Sequence, residues 1–174
     1  MIIYFVIFAI LTFFALDDLR EKRFARIYKY KILVFFLVLF SGLRWRTGPD
    51  WLPYSYYFDN FDWNQPFFRV AYETGYVVLT LIVRFFTNSY SVFLTLLALL
   101  ILIPRSIFFK RYTESIFLAL LLYYGFYLAD TVTTRQAASI SICLLGLPFI
   151  ERKKLFYFCL VIALAMTIHI TSIF

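Results

Sequence analysis

Long apolar runs alternate along this chain with short clusters of charge. Runs suited to helices cover about 2–16, 31–43, 89–109, 114–128, 136–150 and 155–174, with an ambiguous one at 71–86. Several fall short of the ~20 residues that a bilayer crossing needs, so tyrosines and flanking residues have to complete them. The pattern predicts an all-α fold: a polytopic transmembrane helical bundle in a single domain over 1–174. The connector 17–31 carries Arg20, Lys22, Arg23, Arg26, Lys29 and Lys31, the strongest positive-inside signal in the chain. It is expected at the cytoplasmic face, which puts the N-terminus and segment 44–54 outside.

Segment 71–86 decides the parity of the spans. If it crosses, Lys110-Arg111 and Arg152-Lys153-Lys154 fall outside, against the charge rule. If it does not, every lysine and arginine except Arg44, Arg46, Arg69, Arg84 and Arg135 lies at the inner face, Arg105 among them. The segment also carries Glu73, Thr80 and Arg84 on one stripe and Tyr72, Tyr76, Leu79, Val83 and Phe86 on another, as a helix lying in an interface does. The expectation is about six spans with an external amphipathic helix. Arg44, Arg46, Asp50, Glu73, Arg84, Asp130, Arg135 and His169 then all arrive at the outer face, which suggests an active cleft there.

Composition supports the class. The chain is 63% hydrophobic and 23% aromatic, with a mean hydropathy of +0.82, beyond the apolar content of a soluble domain. The net charge of +7 sits in clusters between apolar runs, which orients a membrane protein and does not make a nucleic-acid surface. Cys143 and Cys159 fall in separate apolar runs and are expected as two buried free thiols. The first run lacks a basic leader and a small-residue cleavage site, so it is expected to be retained in a multi-pass protein of the inner (plasma) membrane.

The densest candidate chemistry is Arg44-Trp45-Arg46-Thr47-Gly48-Pro49-Asp50-Trp51-Leu52-Pro53-Tyr54. Arginines at a membrane boundary beside an acid and aromatic rings suit a lipid phosphate or sugar phosphate. They would also suit snorkelling to headgroups, with the tryptophans as an interfacial belt. Trp45, Trp51, Tyr54, Tyr56 and Tyr57 could stack on sugar rings.

Arg135 follows Thr133-Thr134, plausible N-caps, and opens a helix through Gln136. A cation in a helix's first turn opposes the helix dipole, and a bound anion would justify it. A solvated loop arginine is the alternative. His169, the chain's one histidine, would share a helical face with Ala165 and Ser172, for proton transfer or merely to bond a neighbouring helix. Asp50 is the best-placed acid to activate a hydroxyl. Asp59 and Asp62, in a polar loop, are the alternatives for that role or could only pair with Arg69, and Glu73 suits a structural acid in the first turn of its helix. No cofactor is expected, since no Walker loop, Rossmann glycine pattern or metal-ligand cluster is present.

The order Leu43-Arg44-x-Arg46-x-Gly48-x-Asp50-Trp51-x-x-Tyr54, then Glu73-x-Gly75-Tyr76, then Thr134-Arg135-Gln136, then His169-x-Thr171-Ser172, resembles the EpsG family of Wzy-like membrane proteins of exopolysaccharide and capsule synthesis. The resemblance spans about 40–172 and implies polymerisation or transfer of oligosaccharide units carried on polyprenyl diphosphate at the outer leaflet. It also implies that this chain is the N-terminal portion of a longer polytopic protein. Implied partners are the polyprenyl-diphosphate-linked oligosaccharide, membrane lipids and other polysaccharide-assembly proteins. Arg44, Arg46 and Arg135 are expected to hold the diphosphate, with Trp51, Tyr54 and Gln136 beside them. Asp50 and His169 are expected as base or acceptor-orienting groups. A lipid-linked sugar ligase would need the same donor site. A transporter or flippase subunit would instead line a path with charge at mid-membrane, where the sequence places none.

Overall fold

The computed structural model describes residues 2–18, 23–44, 46–48, 50–64, 67 and 72–170. Arg20, Lys22, Trp45, Arg69, Thr171 and Ser172, all invoked above, lie outside them. The described residues form α-helices without strands: α1 (Ile2–Asp17), α2 (Arg23–Gly42), α3 (Trp51–Asp59), α4 (Thr74–Phe86), α5 (Tyr90–Tyr112), α6 (Ile116–Asp130), α7 (Thr134–Leu144), α8 (Leu147–Glu151) and α9 (Leu155–Ile168).

Two ends of the bundle have opposite character. At one, Arg26 at the start of α2 meets Asp18 after α1 at 3.6 Å, and Arg111 at the end of α5 meets Glu151 at the end of α8 at 2.7 Å. Lys110 and Arg152 to Lys154 belong to the same end. Asp18 also accepts a hydrogen bond from the Phe117 amide at 3.2 Å, satisfying one of the orphan donors in the first turn of α6. The opposite end collects the 44–50 loop, α3, α4, and the start of α5.

The chain travels between these ends through α1, α2, α5, α6, the α7–α8 pair and α9. It does not do so through α4. At the start of α4, Tyr72 and Tyr76 meet the rings of Tyr54 and Tyr57, and towards its end Arg84 lies over the Phe58 ring at 5.4 Å. Both ends of α4 therefore touch α3. Its stripes differ from the expected ones: Thr80 is fully buried beside Tyr76 and Val83, its hydroxyl donating to the Tyr76 carbonyl, while Phe86 is exposed.

Other boundaries depart from the sequence reading. α2 begins inside the basic connector. The run 136–150 breaks at Leu145–Gly146 into α7 and α8. α3 occupies a stretch read as loop, with Pro53 in its first turn, where a missing amide hydrogen leaves no helical bond unmade. α9 stops at Ile168, so His169 sits in extended backbone (φ −159°, ψ 127°) and not on a helical face with Ala165. Cys159 is exposed and Cys143 only half-buried, so the two thiols are not both in the core; α9 turns most of its apolar surface outward.

Arg105 also departs from its expected place at the inner face. It is buried in the bundle, where its guanidinium meets Asp130 at 2.7 Å, donates to Ser141 Oγ at 2.8 Å and lies over the Tyr123 ring. A buried cation needs an anion, and this pair links α5, α6 and α7. It withdraws Asp130 from the outer group of charges, and it removes the argument that no charge lies deep between helices.

α5 is the one described helix long and apolar enough to cross a membrane by itself; α1, α4, α6 and α9 are shorter apolar helices. Large apolar side chains point outward from α1, α2, α6 and α9, among them Phe5, Phe35, Phe126 and Phe156. Such a surface calls for apolar surroundings.

Candidate functional site

A glycine brings the site together. A Cβ on Gly75 would collide with the Thr167 backbone, so α4 can start against the end of α9 only because residue 75 has no side chain. That close approach puts Glu73 beside His169. Glu73 is the N-cap residue of α4, yet its carboxylate makes no cap bond to that helix. It reaches across to two other segments: Oε2 meets Arg135 Nη1 at 2.5 Å, and Oε1 meets His169 Nδ1 at 2.6 Å. The Ile170 amide donates to Oε1 at 3.3 Å. Ser139 on α7 holds the histidine's backbone, its hydroxyl lying 2.8 Å from the Ala165 carbonyl and 3.2 Å from that of His169.

Arg135 stands in the first turn of α7, where the helix dipole opposes it. The anion that justifies it is Glu73, from its own chain. Three rings add to the stabilisation: the guanidinium carbon lies 5.2, 4.7 and 5.6 Å from the centres of Tyr54, Tyr72 and Tyr76. Its Nε donates to the Tyr54 hydroxyl at 3.1 Å, and that hydroxyl donates to Asp50 Oδ2 at 3.4 Å. Neither threonine caps α7 through its side chain: Thr133 bonds back to the Ala129 carbonyl and Thr134 is buried.

The electrostatics follow from these contacts. Burial works to raise the Glu73 carboxyl, but the hydrogen bond to His169, the backbone amides and the Arg135 charge together hold it below the usual carboxylate range. Burial pushes the Tyr54 and Tyr72 hydroxyls up, and Tyr57 to about 12, so these tyrosines act as neutral hydrogen-bonding groups and not as bases.

Of the sequence-predicted residues, Asp50, Tyr54, Arg135 and His169 are joined in one network through Tyr54 and Glu73. Trp51 is buried edge-on against Tyr90 at 5.5 Å. Gln136 is exposed. Arg46 is exposed, in the left-handed region at φ 47°, in a turn completed by Gly48 at φ 85°. Arg44 faces a different cavity and donates to Ser41, to its carbonyl at 3.4 Å and its hydroxyl at 3.2 Å. Arg44 thus bonds to Ser41 and not to the Glu73 network. Glu73, given only a structural role by the sequence, is the centre of the network. The signal for it was a cation, Arg135, and a polar ring, His169, each lacking an explained partner.

A family model described as the EpsG family matches residues 27–174, so every residue of this network lies within the match. The chain belongs to the EpsG family. It is accordingly a membrane protein related to exopolysaccharide biosynthesis, which accounts for the outward apolar surface. No curated protein and no solved structure matches it. In this EpsG-family chain, α1 precedes the matched region, and the Glu73–Arg135–His169 cluster draws its parts from three separated segments of it.

Proposed function

We propose that this EpsG-family protein transfers oligosaccharide units from a polyprenyl-diphosphate donor to a sugar hydroxyl at the outer leaflet, as a polymerase of exopolysaccharide or capsule repeats. The observation that carries this reading is Glu73 gripping His169 with one carboxylate oxygen and Arg135 with the other. A carboxylate on Nδ1 fixes the imidazole tautomer, so Nε2 is the nitrogen that accepts a proton. The acceptor hydroxyl attacks the anomeric carbon and gives its proton to Nε2. The new C–O bond forms as the bond from that carbon to the diphosphate oxygen breaks. The diphosphate leaves carrying the electron pair. Arg135, with Nε and Nη1 committed to Tyr54 and Glu73, turns Nη2 to the charge developing on that leaving group. Asp50 acts through Tyr54 and holds the arginine's edge.

Polymer output from cells expressing the full protein with its assembly partners tests the reading, with variants compared at equal protein level. Glu73→Gln keeps the shape but loses the anion, and output should fall by on the order of a hundredfold, the scale of a lost general base. Arg135→Lys keeps the charge but loses the planar fork, and should cost about tenfold or more, or ~1.4 kcal/mol of transition-state stabilisation. Arg152→Lys, at the opposite end of the bundle, should be neutral. Unimpaired output from both site variants would overturn the proposal.

A further inference from the structure

Arg44 does not face the Glu73 cluster. It lines a half-open cavity of about 480 Å³ walled by α1, α2 and the end of α6, whose surface is otherwise mainly apolar: Tyr4, Leu39, Phe40 and Leu128. Among the described residues no carboxylate forms an ion pair with it. Among the described residues its hydrogen bonds go to Ser41, and its Nε is buried without a hydrogen-bond partner there. Burial works to strip the proton from this guanidinium, with only neighbouring tyrosines offsetting it; an arginine nevertheless stays charged at neutral pH. A cation kept in an apolar recess without its own anion is complementary to an amphiphile with an acidic head and a hydrocarbon tail.

Two connectors join this recess to the Glu73 cluster. The loop after α2 runs from Arg44 and Thr47 on the cavity wall to Asp50 and Tyr54 in the network. The turn after α6 runs from Thr131 on the wall to Arg135. Four residues of chain reach at most about 14 Å, so the cavity wall and the transfer centre are adjacent. The loops touch each other as well, since Gly48 packs against Val132.

We infer that this cavity is the seat of the lipid carrier: the carrier's phosphate rests on Arg44 and its isoprenoid chain lies along α1 and α2, while the sugar end extends to Glu73, Arg135 and His169. The inference rests on the donor class proposed above. It separates two cations the sequence had grouped, assigning the lipid end to Arg44 and the departing charge to Arg135. The cavity's volume falls within the usual range for small-molecule sites.

Photo-crosslinking tests it, using the full protein in nanodiscs and a polyprenyl phosphate with a diazirine in its isoprenoid chain. Adducts should map to Tyr4, Phe40 and Leu43. The yield should fall at least tenfold in Arg44→Gln. It should fall similarly in Leu39→Trp, which fills the cavity and leaves the charge. Arg135→Gln should keep the yield. Unlabelled polyprenyl phosphate should compete, and phosphatidylglycerol should not. Adducts elsewhere, or a yield that depends on Arg135 and not on Arg44, would overturn the inference. So would equal competition by phosphatidylglycerol, which would make this an ordinary acidic-lipid site. Loss of crosslinking in Arg44→Gln alongside normal polymer output from Glu73→Gln would leave the cavity assignment standing and defeat the transfer reading.

Discussion

Glu73 engages Arg135 with one carboxylate oxygen and His169 with the other, and its acidity records both contacts. Because its carboxyl is held below the usual range in the folded protein, its contribution to stability is present above the unfolded-state value of about 4 and is lost as pH falls through the folded value. The cluster should therefore stay intact at neutral and mildly acidic pH and loosen only below the ordinary carboxylate range. Thermal unfolding of the detergent-solubilised protein across pH 3–7 should show this acid limb in wild type, and a weaker one in Glu73→Gln. Equal acid limbs would mean that the carboxylate is not engaged in solution. Arg135 and His169 were legible as candidates because a cation in a helix's first turn and a lone membrane histidine each ask for an explanation. Their common partner was not legible, because it lies 62 and 96 residues away and sits at a helix start where an acid has a sufficient local role.

At the scale of elements, the long apolar runs gave α1, α5 and α6 to within a few residues, since hydrophobic runs bounded by charge mark helices well. α3 escaped because it is nine residues of mostly aromatic character with a proline, which in sequence is indistinguishable from a turn. The end of α9 also escaped: the helix stops at Ile168, and His169 and the Ile170 amide turn to the Glu73 carboxylate, a tertiary contact that no local pattern encodes. The join between α4 and α9 depends on Gly75. Gly75→Ala should force these helices apart at Thr167, lower the melting temperature by several degrees, and reduce polymer output roughly in step with Glu73→Gln. Gly125→Ala, where an added Cβ meets nothing, is the matched control and should be tolerated. Indistinguishable behaviour of the two alanine variants would show that the close approach does not set the site.

For the whole molecule, the separation of a basic end from the Glu73 end is the feature with topological meaning. If the basic end is cytoplasmic, as the positive-inside rule predicts, then α4 stays on the far side and six crossings are expected. In a background with both native cysteines replaced by serine, a cysteine at Asn88 should be labelled by a membrane-impermeant reagent in intact cells. One at Lys110 should be labelled only after permeabilisation. The reverse pattern would sink the topology. The distances along the chain within the cluster carry one more consequence, for a protein threaded into the membrane from its N-terminus. Glu73 leaves the ribosome first, Arg135 follows 62 residues later, and His169 arrives only after α8 and α9. The Glu73–Arg135 pair can form as soon as α7 docks. On the proposed assignment the proton acceptor, His169, comes last, so a partly made chain would lack the group that completes transfer.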